Sequence, residues 1–192
     1  MNLVAYLRDN LTGGWQVMLG RSAGLGRLDT SIEGFWRSFA AGLLLIPFSV
    51  LSILSQHLFY RNDSLPDSLT GGSNVLYAFP LLLDWIAFPL AFALLAPTFG
   101  LAARYVPFIV ARNWSSIVFA PFAVVVDILH LIGVLPSPAL PLAALIATAI
   151  GLWFSYVVAR TALAVSVAMA APIVLLDFLI STIIWLAFDR LT

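Results

Sequence analysis

The sequence predicts an all-α, polytopic transmembrane helical bundle, and three observations predict it. Of 192 residues, 62% are apolar and only 9% charged. The mean hydropathy is +1.04. The apolar residues also gather into runs of about 20, the length that crosses roughly 30 Å of hydrocarbon, with polar breaks between them. A water-soluble domain of this size needs far more charge to cover its surface, so a soluble fold is excluded. Nine basic residues, all Arg, stand against nine acids, which leaves no basic field to attract nucleic acid or strongly anionic lipid. The chain has no Cys, which removes disulfides, thiolate metal sites and Cys nucleophiles together.

Residues 1–37 read as a cytoplasmic amphipathic segment and residues 38–192 as the bundle. Leu3, Leu7 and Leu11 recur every four residues around Arg8 and Asp9, and Trp15, Met18 and Leu19 follow a break at Gly13-Gly14. This spacing suits a helix that lies on the cytoplasmic membrane face or packs on the inner ends of the bundle. No continuous apolar run lies behind a basic start, so no cleaved signal peptide is expected. Gly24-Leu25-Gly26 reads as a flexible linker.

Five spans follow from the breaks. The first covers about 38–59, after a capping box formed by Thr30 and Glu33. The second covers 75–97, after the polar turn 61–72, in which Asn62-Asp63-Ser64 fits a glycosylation sequon. The third covers 115–135. Thr98 to Trp114, too short and too charged to span, reads as an interfacial helix with Tyr105 and Trp114 near the headgroups. The fourth, 139–155, follows the tight Pro136-Ser137-Pro138 turn, and the fifth covers 165–188. With the N-terminus inside, seven Arg fall on the cytoplasmic side and only Arg61 and Arg190 outside. The positive-inside rule therefore puts the N-terminus in the cytoplasm and the C-terminus outside, at the inner membrane if the source is bacterial.

Three acids fall inside these spans: Asp84, Asp127 and Asp177. Each costs about 2.5–3.5 kcal/mol near the centre of an inserting helix. Counted from the span ends, all three sit in one layer slightly outside the midplane. Pro80, Pro121 and Pro172 precede them by four, six and five residues, and a mid-helix Pro frees a backbone carbonyl and kinks the rod. Pro47 and Pro89 add further interruptions. Ser116, Ala120, Ala123 and Asp127 match Ser166, Ala170, Ile173 and Asp177 at an offset of fifty, giving two stripes of small residues that are candidate contact faces. His130 and Ser181 extend the stripes outward by one turn. No Arg is expected at the depth of the acids. The carboxyls then either load and release protons on a pathway, with His130 as relay to Asp127, or fix packing by hydrogen bonds to freed carbonyls and hydroxyls.

Enzyme signatures are absent: there is no His-Glu-x-x-His pair, no Gly-x-Ser-x-Gly elbow and no phosphate loop. With two His, a zinc site would be mostly carboxylate, which zinc disfavours. No enzymatic activity, metal or cofactor is expected. The expected partners are the lipid bilayer and a second copy or another membrane protein, and nucleic acid is not among them.

Two segments carry a resemblance. Arg27-Leu28-Asp29-Thr30-Ser31-Ile32-Glu33-Gly34-Phe35-Trp36-Arg37-Ser38-Phe39 and Phe108-Ile109-Val110-Ala111-Arg112-Asn113-Trp114 resemble stretches of small bacterial membrane proteins related to the Yip1 family, often labelled as transporters. The resemblance implies a five-span fold with a cytoplasmic N-terminus. Eukaryotic members act in membrane trafficking by binding partner proteins. That role is not carried over, because the long cytoplasmic region of those members has no counterpart here, and no catalytic residue is carried over either. The expected function is non-enzymatic: helix-face contacts with itself or a partner around a polar core of Asp84, Asp127, His130, Asp177 and Ser181. The alternative is a proton- or cation-coupled transporter or channel using the same acids.

Overall fold

The computed structural model describes residues 2–62 and 78–190. Residues 63–72 of the polar turn, with Asp63 and Ser64 of the sequon, and the first residues of the second expected span lie outside the described residues. Among the described residues eight α-helices follow in order: α1 (Leu3–Met18), α2 (Ile32–Ala40), α3 (Ile46–Asn62), α4 (Ala78–Leu95), α5 (Tyr105–Ala123), α6 (Val125–Leu131), α7 (Leu140–Leu163) and α8 (Val167–Asp189). No strand occurs among the described residues. Among the described residues four helical runs are long and apolar enough to cross a membrane: Ile32–Tyr60, Ala102–Leu131, Ser137–Leu163 and Val167–Phe188. A fifth apolar helix, Phe79–Leu95, is shorter. Large apolar side chains face outward along these runs, among them Leu94, Leu142 and Trp153, which are 79%, 64% and 62% exposed. An apolar surface of this extent is stable in lipid and not in water.

Helix α1 runs unbroken through Gly13-Gly14, contrary to the break expected there. Both glycines are buried and serve close approach. A Cβ on Gly13 would meet Leu28 Cδ2 at 2.8 Å and the Gly24 carbonyl at 2.9 Å, and one on Gly14 would stand 3.0 Å from the backbone of Trp114. The buried face is Tyr6, Asn10, Gly13, Gly14, Val17 and Met18, rotated from the Leu3-Leu7-Leu11 stripe, and it packs on α5 and α7. Gly24 lies in a 3₁₀ turn, Ser22–Arg27, against α1. It is a packing point and not a flexible linker.

The cap of α2 is shifted by one residue from the expected box. Ser31, not Thr30, accepts from the Gly34 N–H at 3.0 Å, and its own hydroxyl donates to Asp29 at 2.6 Å. Glu33 pairs instead with Arg37 one turn on. The helical run crosses residue 37 without a break, through α2, a 3₁₀ turn at Ala41–Leu45 and α3. Pro47, in the first turn of α3, lacks the N–H that α-helical continuation from the 3₁₀ turn would use.

The third span starts earlier than expected. Thr98–Trp114 is not a separate interfacial helix: Ala102–Leu131 is one helical run, interrupted only at Val124, three residues after Pro121. Pro89 and Pro172 lie inside α4 and α8, and Pro80 stands in the first described turn of α4. Helices α7 and α8 form a tight hairpin through Ala164, which adopts the left-handed conformation (φ +51°). The densest packing surrounds the first half of α5, where Phe108, Ile109, Val110, Ala111 and Trp114 are all buried, together with Val17, Phe88, Phe92 and Val158.

Candidate functional site

Two groups of polar side chains stand out. The first joins α4, α5 and α8. Arg112 makes a bidentate pair with Asp177, Nε to Oδ2 at 3.0 Å and Nη2 to Oδ1 at 2.8 Å, and the two side chains are only 15% and 23% exposed. The guanidinium also lies over the Phe88 ring at 5.0 Å and the Trp85 ring at 5.9 Å. Planar fork geometry matches a carboxylate, and aromatic faces share the charge where water is excluded. Asp84 faces the Ser181 hydroxyl and shares the field of Arg112 with Asp177, so one cation stands against two acids. A cavity of about 50 Å³ adjoins the pair, with Arg112, Ser115, Ser116, Ser155 and Asp177 in its lining. Arg112 Nη1 is buried and has no hydrogen-bond partner among the described residues.

The second group ties the run Ile32–Tyr60 to the run Ala102–Leu131. The Asn113 amide donates to Ser38 Oγ at 3.0 Å, Ser52 Oγ donates to Asp127 Oδ2 at 2.6 Å, and Ser55 Oγ meets His130 Nδ1 at 3.0 Å. Each pair is separated by 75 residues. A constant separation means that the two runs are parallel and in fixed register. The other nitrogen of His130 meets Ser137 Oγ at 3.3 Å.

The expectation of a single layer of three acids is therefore corrected. Asp84, Asp177 and Ser181 come together, but Asp127 and His130 do not join them. Asp127 stands fifteen residues beyond Arg112 on the same helical run, about 22 Å along it. His130 takes serine partners from α3 and the turn before α7, whereas Asp127 takes Ser52. Nor do the two small-residue stripes form one interface: Asp127 is bonded to α3, and α8 packs on α4 and α7.

Arg112 overturns the expectation that no Arg lies level with the acids. Sequence reading placed it in a headgroup-level helix. The signal for its burial was its setting between Phe108-Ile109-Val110-Ala111 and Trp114, in a stretch continuous with the following span. Ser38, Ser52, Ser55 and Asn113 were also missed, because a lone Ser or Asn in an apolar run does not reveal its partner. No group of three His, Cys, Asp or Glu able to hold a metal occurs among the described residues.

Apolar helices of spanning length, with charges paired inside them, define a helical integral membrane protein. No family model, curated protein or solved structure matches the chain.

Proposed function

We propose that this is a non-enzymatic, Yip1-like integral membrane protein that acts through helix-face contacts, with itself or a membrane-protein partner, around a hydrogen-bonded core. The observation that carries this reading is that two of the acids inside the spans are bonded within the chain, Asp177 to Arg112 and Asp127 to Ser52, while Asp84 lies beside Ser181 and in the field of Arg112. Side chains bonded to one another fix helix positions, and a rigid bundle then presents a constant outer face. A conducting path needs such groups along connected water, and a 50 Å³ cavity admits only a few waters. The described part of α4 has 18 residues, about 27 Å, which supports counting it as the second of five spans. The Arg distribution favours an N-terminus in the cytoplasm and a C-terminus outside, at the inner membrane of a bacterial source.

One observation favours a second reading, a proton- or cation-coupled transporter: Asp177 and Arg112, whose Nη1 has no hydrogen-bond partner among the described residues, line that cavity, and Asp84 shares the field of the same guanidinium. Two measurements separate the readings. Crosslinking in native membranes is expected to trap a dimer or a mixed complex, and recovery of monomers alone would remove the contact reading. In liposomes under an imposed pH gradient, flux no greater than in empty vesicles, and unchanged by Asp84→Asn, is expected. Flux that Asp84→Asn abolishes would establish transport instead.

A further inference from the structure

The even balance of nine basic and nine acidic residues conceals a local excess. Among the described residues the ion pairs are Arg8 with Asp9, Arg37 with Glu33 and Arg112 with Asp177, and Asp29 accepts from the Ser31 N–H and hydroxyl. Arg21 and Arg160 take part in none of these pairs, and both are exposed. The sequence leaves no acid close to either along the chain. Residues 10–28 contain Arg21 and Arg27 and no Lys, Asp or Glu, and in residues 128–176 Arg160 is the one residue of these four types.

The fold brings the two cations to the same end of α7. A Cβ on Gly20 would stand 3.5 Å from Val157 Cγ1, and the 3₁₀ turn Ser22–Arg27 packs on α7. Arg21 follows Gly20 directly, and Arg160 follows Val157 by three residues, about 4.5 Å along the helix. The face of α7 that carries Arg160 also carries Trp153 and Tyr156, at intervals of three and four. Their rings stand 5.6 Å apart, and the Arg160 guanidinium lies 5.9 Å from the centre of the Tyr156 ring. Trp153 is exposed inside a run of spanning length, so this face meets lipid. Aromatic rings followed by a guanidinium toward the helix end match the order of acyl chain, interface and headgroup.

From this arrangement we infer that Arg21 and Arg160 form a binding site for an anionic phospholipid of the phosphatidylglycerol kind, whose acyl chains lie along Trp153 and Tyr156. The planar fork of a guanidinium matches two oxygens of the phosphate, and hydrogen bonds to a charged acceptor are the stronger ones. Charge decides the headgroup. Two cations without paired carboxylates attract a net negative lipid, whereas a zwitterionic one would bring an ammonium group that finds no acid here. The Arg distribution that favours a cytoplasmic N-terminus puts this end of α7 at the cytoplasmic leaflet, where basic residues beside a span meet anionic headgroups.

The test is native mass spectrometry of the purified full chain, exchanged into detergent with equal amounts of phosphatidylglycerol, phosphatidylethanolamine and phosphatidylcholine. Selective retention of phosphatidylglycerol is expected. Arg160→Gln and Arg21→Gln are each expected to lower it by about ten-fold, as loss of a charge-assisted hydrogen bond does. Arg190→Gln removes the same charge from an exposed position at the opposite end of the bundle and should leave retention unchanged. Should Arg160→Gln not fold, Arg21→Gln decides alone. Equal retention of the three lipids, preference for a zwitterionic one, retention indifferent to Arg21→Gln, or an equal loss with Arg190→Gln would overturn the inference.

Discussion

A guanidinium within a membrane helix is tolerable only when its charge is shared, and Arg112 shares it three ways: with the Asp177 carboxylate and with the faces of Phe88 and Trp85. The worth of such a pair lies in its completeness. Removing one member leaves the other buried and uncompensated, at about 3–5 kcal/mol, whereas replacing both with apolar side chains is often near neutral. Asp177→Asn is therefore expected to lower unfolding stability by several kcal/mol in a denaturant titration of the purified protein. The double variant Arg112→Met with Asp177→Leu should recover most of that loss. Equal destabilisation by single and double variants would mean that the two charges do not act as a unit.

The short links and crossings between helices depend on a few backbone positions. Gly14 lets α1 lie against the Trp114 backbone, and backbone atoms 3.0–3.1 Å from a new Cβ cannot rotate away as a side chain would. Gly14→Ala should cost about 1–3 kcal/mol as an overpacking change. It should also release α1, read as faster amide exchange across residues 3–18 with α7 and α8 still protected. Ala164 presents the opposite case. It holds a left-handed conformation (φ +51°) that costs an L-residue about 1–2 kcal/mol. After allowance for glycine's greater freedom in the unfolded chain, Ala164→Gly should gain up to about 1 kcal/mol, seen as a raised unfolding midpoint. An unchanged or lowered midpoint would mean that the hairpin imposes no strain there.

Across the whole molecule, three hydrogen bonds at one separation, Ser38–Asn113, Ser52–Asp127 and Ser55–His130, hold the runs Ile32–Tyr60 and Ala102–Leu131 side by side. Parallel neighbours require a return crossing between them, and α4 is the segment available to make it. The five-span topology follows if α4 crosses, and the chain's lack of Cys makes it directly measurable. Single cysteines introduced as Ser22→Cys and Arg190→Cys, both at exposed positions, should react with a membrane-impermeant thiol reagent from opposite sides of sealed vesicles. Labelling of both from the same side would mean an even number of crossings, so that one of the helices counted as spans does not cross.

Composition and run length alone determined that this chain is helical and belongs in a membrane, because insertion depends on apolar residues summed along a helix and not on where each side chain points. The same arithmetic located Asp84, Asp127 and Asp177 within apolar helices, along with the hairpin at Pro136-Ser137-Pro138. It misjudged Gly13-Gly14 and Gly24, since a glycine that loosens a chain and one that admits a neighbour look alike until the neighbour is known. Only the tertiary structure decided which acid meets which partner. Arg112 reaches Asp177 across 65 residues and Ser52 reaches Asp127 across 75, and such pairings depend on helix rotation and register. Those are set by packing of the whole bundle, which no local periodicity encodes.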